Sequence, residues 1–283
     1  MKNIILFYLF LLASPYAFTQ QSQLSDHNSQ KGKMYFYWGW NRSLYSKSDI
    51  TFTGADYGFE IKNVIAKDRQ SVFGADPYLN PARATIPQYN FRLGYFISNH
   101  WDISFGIDHM KYVVQDYQTV KISVFDDSPL TPYEGVYNDY DISTTSDFLL
   151  FEHTDGLNYI NLGIRRSDNI VALDWVAFNL TEGIGAGALY PKTNTTLFRK
   201  ERYDEFHWSG YSFDVMVGIN AKFFDVFFIQ SELKGGYVNM PNIRTTNSTD
   251  DKASQSFFFG QINILFGGII HLSPNSKRKQ PTN

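Results

Sequence analysis

Two histidines and a group of carboxylates are the residue types in this sequence best suited to proton transfer or metal ligation. Asp108 and His109 adjoin near the end of one alternating segment, and Glu152, His153 and Asp155 fall just before the start of another. If those two segments are neighbours, two imidazoles and several carboxylates meet at one rim, a set that could act as acid and base or hold a divalent cation. The spacing matches no specific ligand motif, and rim loops are commonly charged for solvation, so neither a metal nor a cofactor is expected. A second concentration of oxygen ligands comprises Asp126, Asp127, Glu134, Asp139, Asp141 and Asp147, interleaved with Tyr133, Tyr137 and Tyr140. It lacks the D-x-D-x-D-G order of a calcium loop and reads as a solvated, tyrosine-rich loop able to bind a surface ligand. No P-loop, HExxH, GxSxG or CxxC pattern occurs.

The elements that must position these residues are strands. In residues 257–272, Phe258, Ile262, Ile264 and Phe266 fall on one face and Gln261 and Asn263 on the other. Side chains alternate sides along a strand, so one face is apolar and the other polar. The same pattern recurs in residues 33–46, in a hairpin over 89–112 turning at Ser98, Asn99 and His100, and in 157–166, 175–190, 211–223 and 226–238. Eight such strands, apolar outward and polar inward, describe an all-β, antiparallel, up-and-down transmembrane barrel. Three short turns then lie at one end, with both termini, and long loops at about 47–88, 113–156, 197–209 and 239–255 lie at the other. Within the first loop, 50–53 and 59–64 around Gly54 have strand character and predict a hairpin extending the barrel above the membrane. In 175–190 strict alternation turns Glu182 toward lipid, and a bulge near Gly183, Gly185 and Gly187 is expected to relieve that conflict.

The chain has 283 residues, 43% hydrophobic and 17% aromatic, enough for one substantial domain. A net charge of -3 excludes a globally basic nucleic-acid binder. Lys2, an apolar run over 4–12 and the small residues Ala13, Ser14 and Ala17 have the order of a cleavable leader, expected at 1–19. A polar lead-in (20–32), the barrel (33–272) and a polar tail (273–283) follow. No cysteine is present, so hydrogen-bond ladders and packing must hold the fold, and no lipid anchor on cysteine is expected.

An eight-stranded barrel has an interior just wide enough for side chains to fill. The inward set contains Arg92, Arg165 and Lys234 together with Asp102, Asp108, Asp214 and Glu232. Buried charges persist when paired, so these residues are expected to plug the lumen as an ionic network, the alternative being a narrow polar conduction path. Outward Trp38, Trp40, Trp101 and Tyr211 suit the interfacial aromatic girdles.

The pattern from leader to final strand resembles the small outer-membrane β-barrel proteins of Gram-negative bacteria, the outer-membrane protein A-like superfamily. Segments such as Tyr35-Phe36-Tyr37-Trp38-Gly39, Gly106 to Tyr112 and His153 to Tyr159 look like barrels of Bacteroidota. The resemblance implies an outer-membrane location with lipid as the surrounding partner; the oligomeric state is left open, with a monomer favoured. One departure is the polar tail, since members of that superfamily end on the last strand with an aromatic residue. By parity His109 faces outward, and an outward histidine is how lipid A deacylases of similar barrel size place their base. Those enzymes carry a serine two residues later, where this chain has Lys111. The expected role is therefore non-enzymatic, envelope-structural or surface-binding, with a lipid-modifying enzyme or a narrow channel as the alternatives.

Overall fold

A computed structural model describes residues 29–55, 57–83, 85–126, 138–197 and 205–271. The expected leader, most of the lead-in, the polar tail, and Asp127, Tyr133, Glu134 and Tyr137 lie outside the described residues. In chain order the strands are β1 (Lys33–Tyr45), β2 (Ser48–Gly54), β3 (Tyr57–Val64), β4 (Ala66–Lys67), β5 (Tyr89–Phe96), β6 (Trp101–Val114) and β7 (Thr119–Asp126). They continue with β8 (Tyr140–Ser143), β9 (Leu149–Ala172), β10 (Val176–Leu189), β11 (Asn194–Leu197), β12 (Gly210–Phe223), β13 (Phe227–Arg244) and β14 (Lys252–His271).

Eight of them form a closed antiparallel ring in the order β1, β5, β6, β9, β10, β12, β13, β14. Closure is explicit: β14 returns to β1 over its whole length, from Lys33 opposite His271 to Tyr45 opposite Phe259. A closed ring leaves no unpaired edge, the condition for strands to cross a bilayer. No helix among the described residues is long and apolar enough to do so. The connections after β5, β9 and β12 are short. The last is a three-residue turn, Phe224 to Val226, in which Phe224 and Asp225 both take positive φ.

The outer wall carries the apolar rows that the alternation predicts. Phe258, Ile262 and Ile264 on β14, Phe213, Val215, Val217 and Ile219 on β12, and Leu162 and Ile164 on β9 are all exposed. So much contiguous exposed apolar surface is that of a lipid-facing belt. The expected bulge in β10 is displaced. Gly183, Gly185 and Gly187 run in regular register, and the irregularity falls between Phe178 and Asn179. Glu182 keeps its outward parity, opposite Arg166 on β9, which itself pairs with Asp168 at 2.7 Å. A cross-strand arginine near the short-turn end is what accommodates the charge there. Gly185 serves the interior instead: a Cβ there would run into the Asp214 carboxylate.

At the loop end the ring strands continue above the belt, and the expected hairpin is present as β2 and β3. It joins β14 on one side and β7 then β8 on the other, so a four-stranded wing grows from the barrel wall. Ile50, Phe52, Phe59, Ile61, Val120 and Ile122 of this wing share one apolar core with Met110, Tyr112, Phe151, Leu157, Met240 and Phe257 of the ring. Phe52 meets Phe151 at 5.6 Å and Phe59 meets Phe148 at 5.9 Å, which brings the wing across to the start of β9. The loop end is thus closed by an apolar cap.

Candidate functional site

Inward parity on β6 carries Asp108 into the lumen, and the adjoining His109 points the other way. Asp108 Oδ2 accepts from Lys234 Nζ at 2.5 Å, and its Oδ1 accepts from Asn90 at 2.6 Å. His109 lies on the outer face as predicted, flanked in register by Tyr89 on β5 and Asn158 on β9. Its ring stacks on Tyr89 at 4.9 Å, and its Nδ1 is 2.8 Å from Asn158 Oδ1. These neighbours cover it almost completely.

His153 and Asp155 are drawn apart by a bulge. Between Met110 opposite Leu157 and Tyr112 opposite His153, one residue of β6 faces three of β9. Gly156 takes a φ of +128, a conformation that side chains rarely adopt, and the extra residues are thrown outward. Asp155 is consequently exposed, 3.3 Å from Lys192, whereas His153 turns into the cap core with no solvent exposure. Glu152 faces away from His153 and holds Arg69 at 2.8 Å and Asn194 at 2.8 Å. The expected convergence of Glu152, His153 and Asp155 with Asp108 and His109 is therefore not formed. The two strands are neighbours, but parity and the bulge send the groups into the lumen, the outer wall, the cap and solvent. No cluster of three or more metal-ligating side chains occurs among the described residues.

His153 has a physical consequence of its own. Its Nδ1 is 2.9 Å from Thr193 Oγ1, and its ring packs against Phe151 and Tyr112. Burial pushes the imidazole down to about 3, and repulsion from His207 adds to the shift. The folded value lies below the unfolded one, so the stability this group permits is complete above about pH 6.5. Below that pH the unfolded chain takes up a proton that the cap excludes, and stability falls by up to about 1.4 kcal/mol per pH unit. Protection factors for amide exchange in β9 and β11, referenced to the intrinsic exchange rate at each pH, should therefore fall as pH falls from 6.5 to 4. His153→Gln, which cannot titrate, should flatten that slope; equal slopes in both proteins would show that other groups control it.

The lumen holds two ionic centres. In the first, Arg165 Nη1 donates to Glu232 Oε1 at 2.7 Å, and Nη2 donates to the Tyr37 hydroxyl at 2.8 Å. Gln230 and Asn263 also donate to Glu232, at 2.6 and 3.2 Å. In the second, Lys234 lies between Asp108 at 2.5 Å and Asp214 at 3.9 Å, and Tyr159 donates to Asp214 at 2.7 Å. Arg92 stands between the centres on neutral partners: Tyr37 at 2.9 Å, Ser104 at 3.0 Å and Asn161 at 2.8 Å. Gly106 makes room for it, since a Cβ there would lie 2.6 Å from Nη2. Asp102 accepts from the Tyr35 hydroxyl at 2.7 Å instead of from an arginine. Arg165 with Glu232, and Lys234 with Asp108 and Asp214, are oppositely charged neighbours. Arg92 and Asp102 are held by hydrogen bonds to neutral groups, which satisfies the same desolvation requirement.

The tyrosines were the missed members. Tyr35, Tyr37 and Tyr159 each carry a hydroxyl into the network, Tyr37 bridging Arg92 and Arg165. Their inward parity was readable in the sequence, but tyrosine carries no charge to flag it as a network residue.

No protein-family model matches the sequence, and no curated protein matches it. Among solved structures, the chain is similar to the outer membrane protein OprG from Pseudomonas aeruginosa at 8% identity, covering 86% of this chain and 97% of that one, with a TM-score of 0.43. It is also similar to Ail, the attachment invasion locus protein of Yersinia pestis, at 10% identity over 85% and 99% of the two chains, TM-score 0.32. The N-terminal β-barrel domain of Pseudomonas aeruginosa OprF is similar at 6% identity over 84% and 98%, TM-score 0.28.

Proposed function

We propose that this chain is an outer-membrane barrel of a Gram-negative bacterium that works through its loop-end surface, and that its lumen is a structural ionic core. The observation that carries this reading is the change of chemistry along the interior. At the level of the lipid-facing belt the inward side chains are ionic and hydrogen-bonded, centred on Arg92, Arg165, Glu232 and Lys234. Above it the same inward rows become Met110, Tyr112, Leu157, Met240 and Phe257, packed under the β2–β3–β7 wing. An aqueous path needs a continuous polar lining, and an apolar plug interrupts it. The outer face of the wing presents Lys62 with Asp139 and Lys121 with Asp141 as solvent-exposed pairs beside the exposed Tyr140. A mixed-charge surface with an exposed tyrosine suits recognition of a surface partner more than chemistry.

Purified protein in planar bilayers should give no discrete conductance steps, and a deletion strain should keep an unchanged lipid A acyl pattern by mass spectrometry. Reproducible steps would replace this reading with a channel. A changed acyl pattern, lost again in a His109→Ala/His153→Ala strain, would replace it with a lipid-modifying enzyme. Recovery of the protein outside the outer-membrane fraction, with no boiling-dependent gel shift, would overturn the location.

A further inference from the structure

We infer that the segment between β4 and β5 is a membrane-inserted collar, its residues Val72, Phe73 and Leu79 buried among the acyl chains at the outer-leaflet boundary. The inference rests on the barrel being membrane-spanning and goes beyond it, because a long loop of a barrel is ordinarily water-exposed.

The segment turns back down the outside of the wall instead of joining the cap. Tyr78 packs its ring 5.7 Å from Trp40, which in turn contacts Trp38 at 4.9 Å and Phe266 at 5.8 Å. Phe36, Trp38, Trp40, Arg42 and Leu44 occupy the outward row of β1, so Tyr78 is seated on the lipid-facing side. A second tie is made by Lys111, outward on β6, whose Nζ donates to the Ile86 carbonyl at 2.8 Å. A third is the Gln70 amide donating to the Asn41 carbonyl at 3.3 Å.

Arg42 and Lys111 mark the headgroup level, where long cationic side chains reach phosphates. Trp40 lies one outward step below Arg42 on the same strand. The segment therefore sits at the boundary between headgroups and acyl chains, the depth at which interfacial elements place their apolar side chains. There it exposes Val72 at 88%, Phe73 at 87% and Leu79 at 72%. Its polar groups bond to one another within the segment: Arg83 pairs with Asp76 at 2.6 Å, both half-exposed, Asn80 donates to Asp76 at 2.9 Å, and the Tyr78 hydroxyl donates to the Ser71 carbonyl at 3.0 Å. Three large apolar side chains bare on a tied-down segment, which Phe73 links through Tyr78 to Trp40 of the lipid-facing row, identify the bilayer as the occupant. A second copy or a protein partner would not require the segment to lie at headgroup depth.

The absence of cysteine makes the test direct. Phe73→Cys and Leu79→Cys, each carrying an environment-sensitive fluorophore, are reconstituted in phosphatidylcholine vesicles. Ile262→Cys on the lipid-facing belt and Lys121→Cys on the wing serve as references. Both collar labels should be quenched by lipids brominated on the acyl chain, like the Ile262→Cys label, and shielded from iodide, unlike the Lys121→Cys label. Adding Tyr78→Ala should return the Phe73→Cys label to iodide. Iodide quenching equal to that of Lys121→Cys, or shielding from iodide without quenching by brominated chains, overturns the collar. If the Ile262→Cys label also escapes the brominated chains, the membrane-spanning barrel itself has failed.

Discussion

Replacing Lys234 with methionine is expected to lower the unfolding free energy by about 3–5 kcal/mol. Lys234 Nζ serves two fully enclosed carboxylates, Asp108 at 2.5 Å and Asp214 at 3.9 Å, and is itself without solvent exposure at its side chain. Removing it leaves two carboxylates close together, with Asn90 and the Tyr159 hydroxyl as their donors among the described residues. The cost is that of uncompensated buried charge, more than of a lost attraction. The triple variant Lys234→Met, Asp108→Asn, Asp214→Asn should therefore recover most of the loss. Urea titration in lipid vesicles, read by the gel shift between folded and unfolded barrel, measures both. A loss below about 1 kcal/mol, the scale of an exposed ion pair, would remove the lumen network as a source of stability. So would a triple variant no more stable than the single one.

Phe59→Ala is expected to unfold the cap and spare the barrel. Phe59 is fully buried, stacked on Phe52 at 4.9 Å and packed on Tyr57 at 6.1 Å and Phe148 at 5.9 Å. Truncating a phenylalanine in such a core costs about 3–5 kcal/mol. Among the described residues the wing pairs with the ring through Ile50 to Thr53 against Gln255 to Lys252, whereas the ring strands are paired along their length. The loss should fall on the weaker cooperative unit. In vesicles, the variant should become sensitive to protease within β2, β3 and β7 while its boiling-dependent gel shift persists. Simultaneous loss of both would show that cap and barrel fold as one unit.

The sequence was most legible where solvent decides side by side. On β6, Trp101, Ile103 and Phe105 face lipid while Asp102, Ser104, Gly106 and Asp108 face the lumen. That assignment needs only the two-residue period of a strand between an apolar and a polar medium. The β2–β3 hairpin was legible for the same reason. The cap was legible in part: the inward row of β6 changes from Ser104 and Asp108 to Met110, Tyr112 and Val114, which announces a change of interior. What would fill that interior was not legible, because β7 is brought to β3 by pairing between residues about sixty apart in the chain.

The candidate rim site shows the limit most clearly. Sequence spacing correctly made the ends of β6 and β9 neighbours, yet the bulge at 154–156 decided which way each side chain points. Gly156 marks locally where the chain can bulge, but the bulge is set by the fit of two strands to a ring that must close, which decides where the neighbouring side chains point. The sequence by itself thus determined the eight-stranded wall, its inside and outside, and the charges of the lumen, because each follows from alternation alone. Tertiary structure alone decided that His109 and His153 part, that tyrosines join the arginines, and that one loop descends the outer wall. Each of these depends on which distant strand supplies the neighbour.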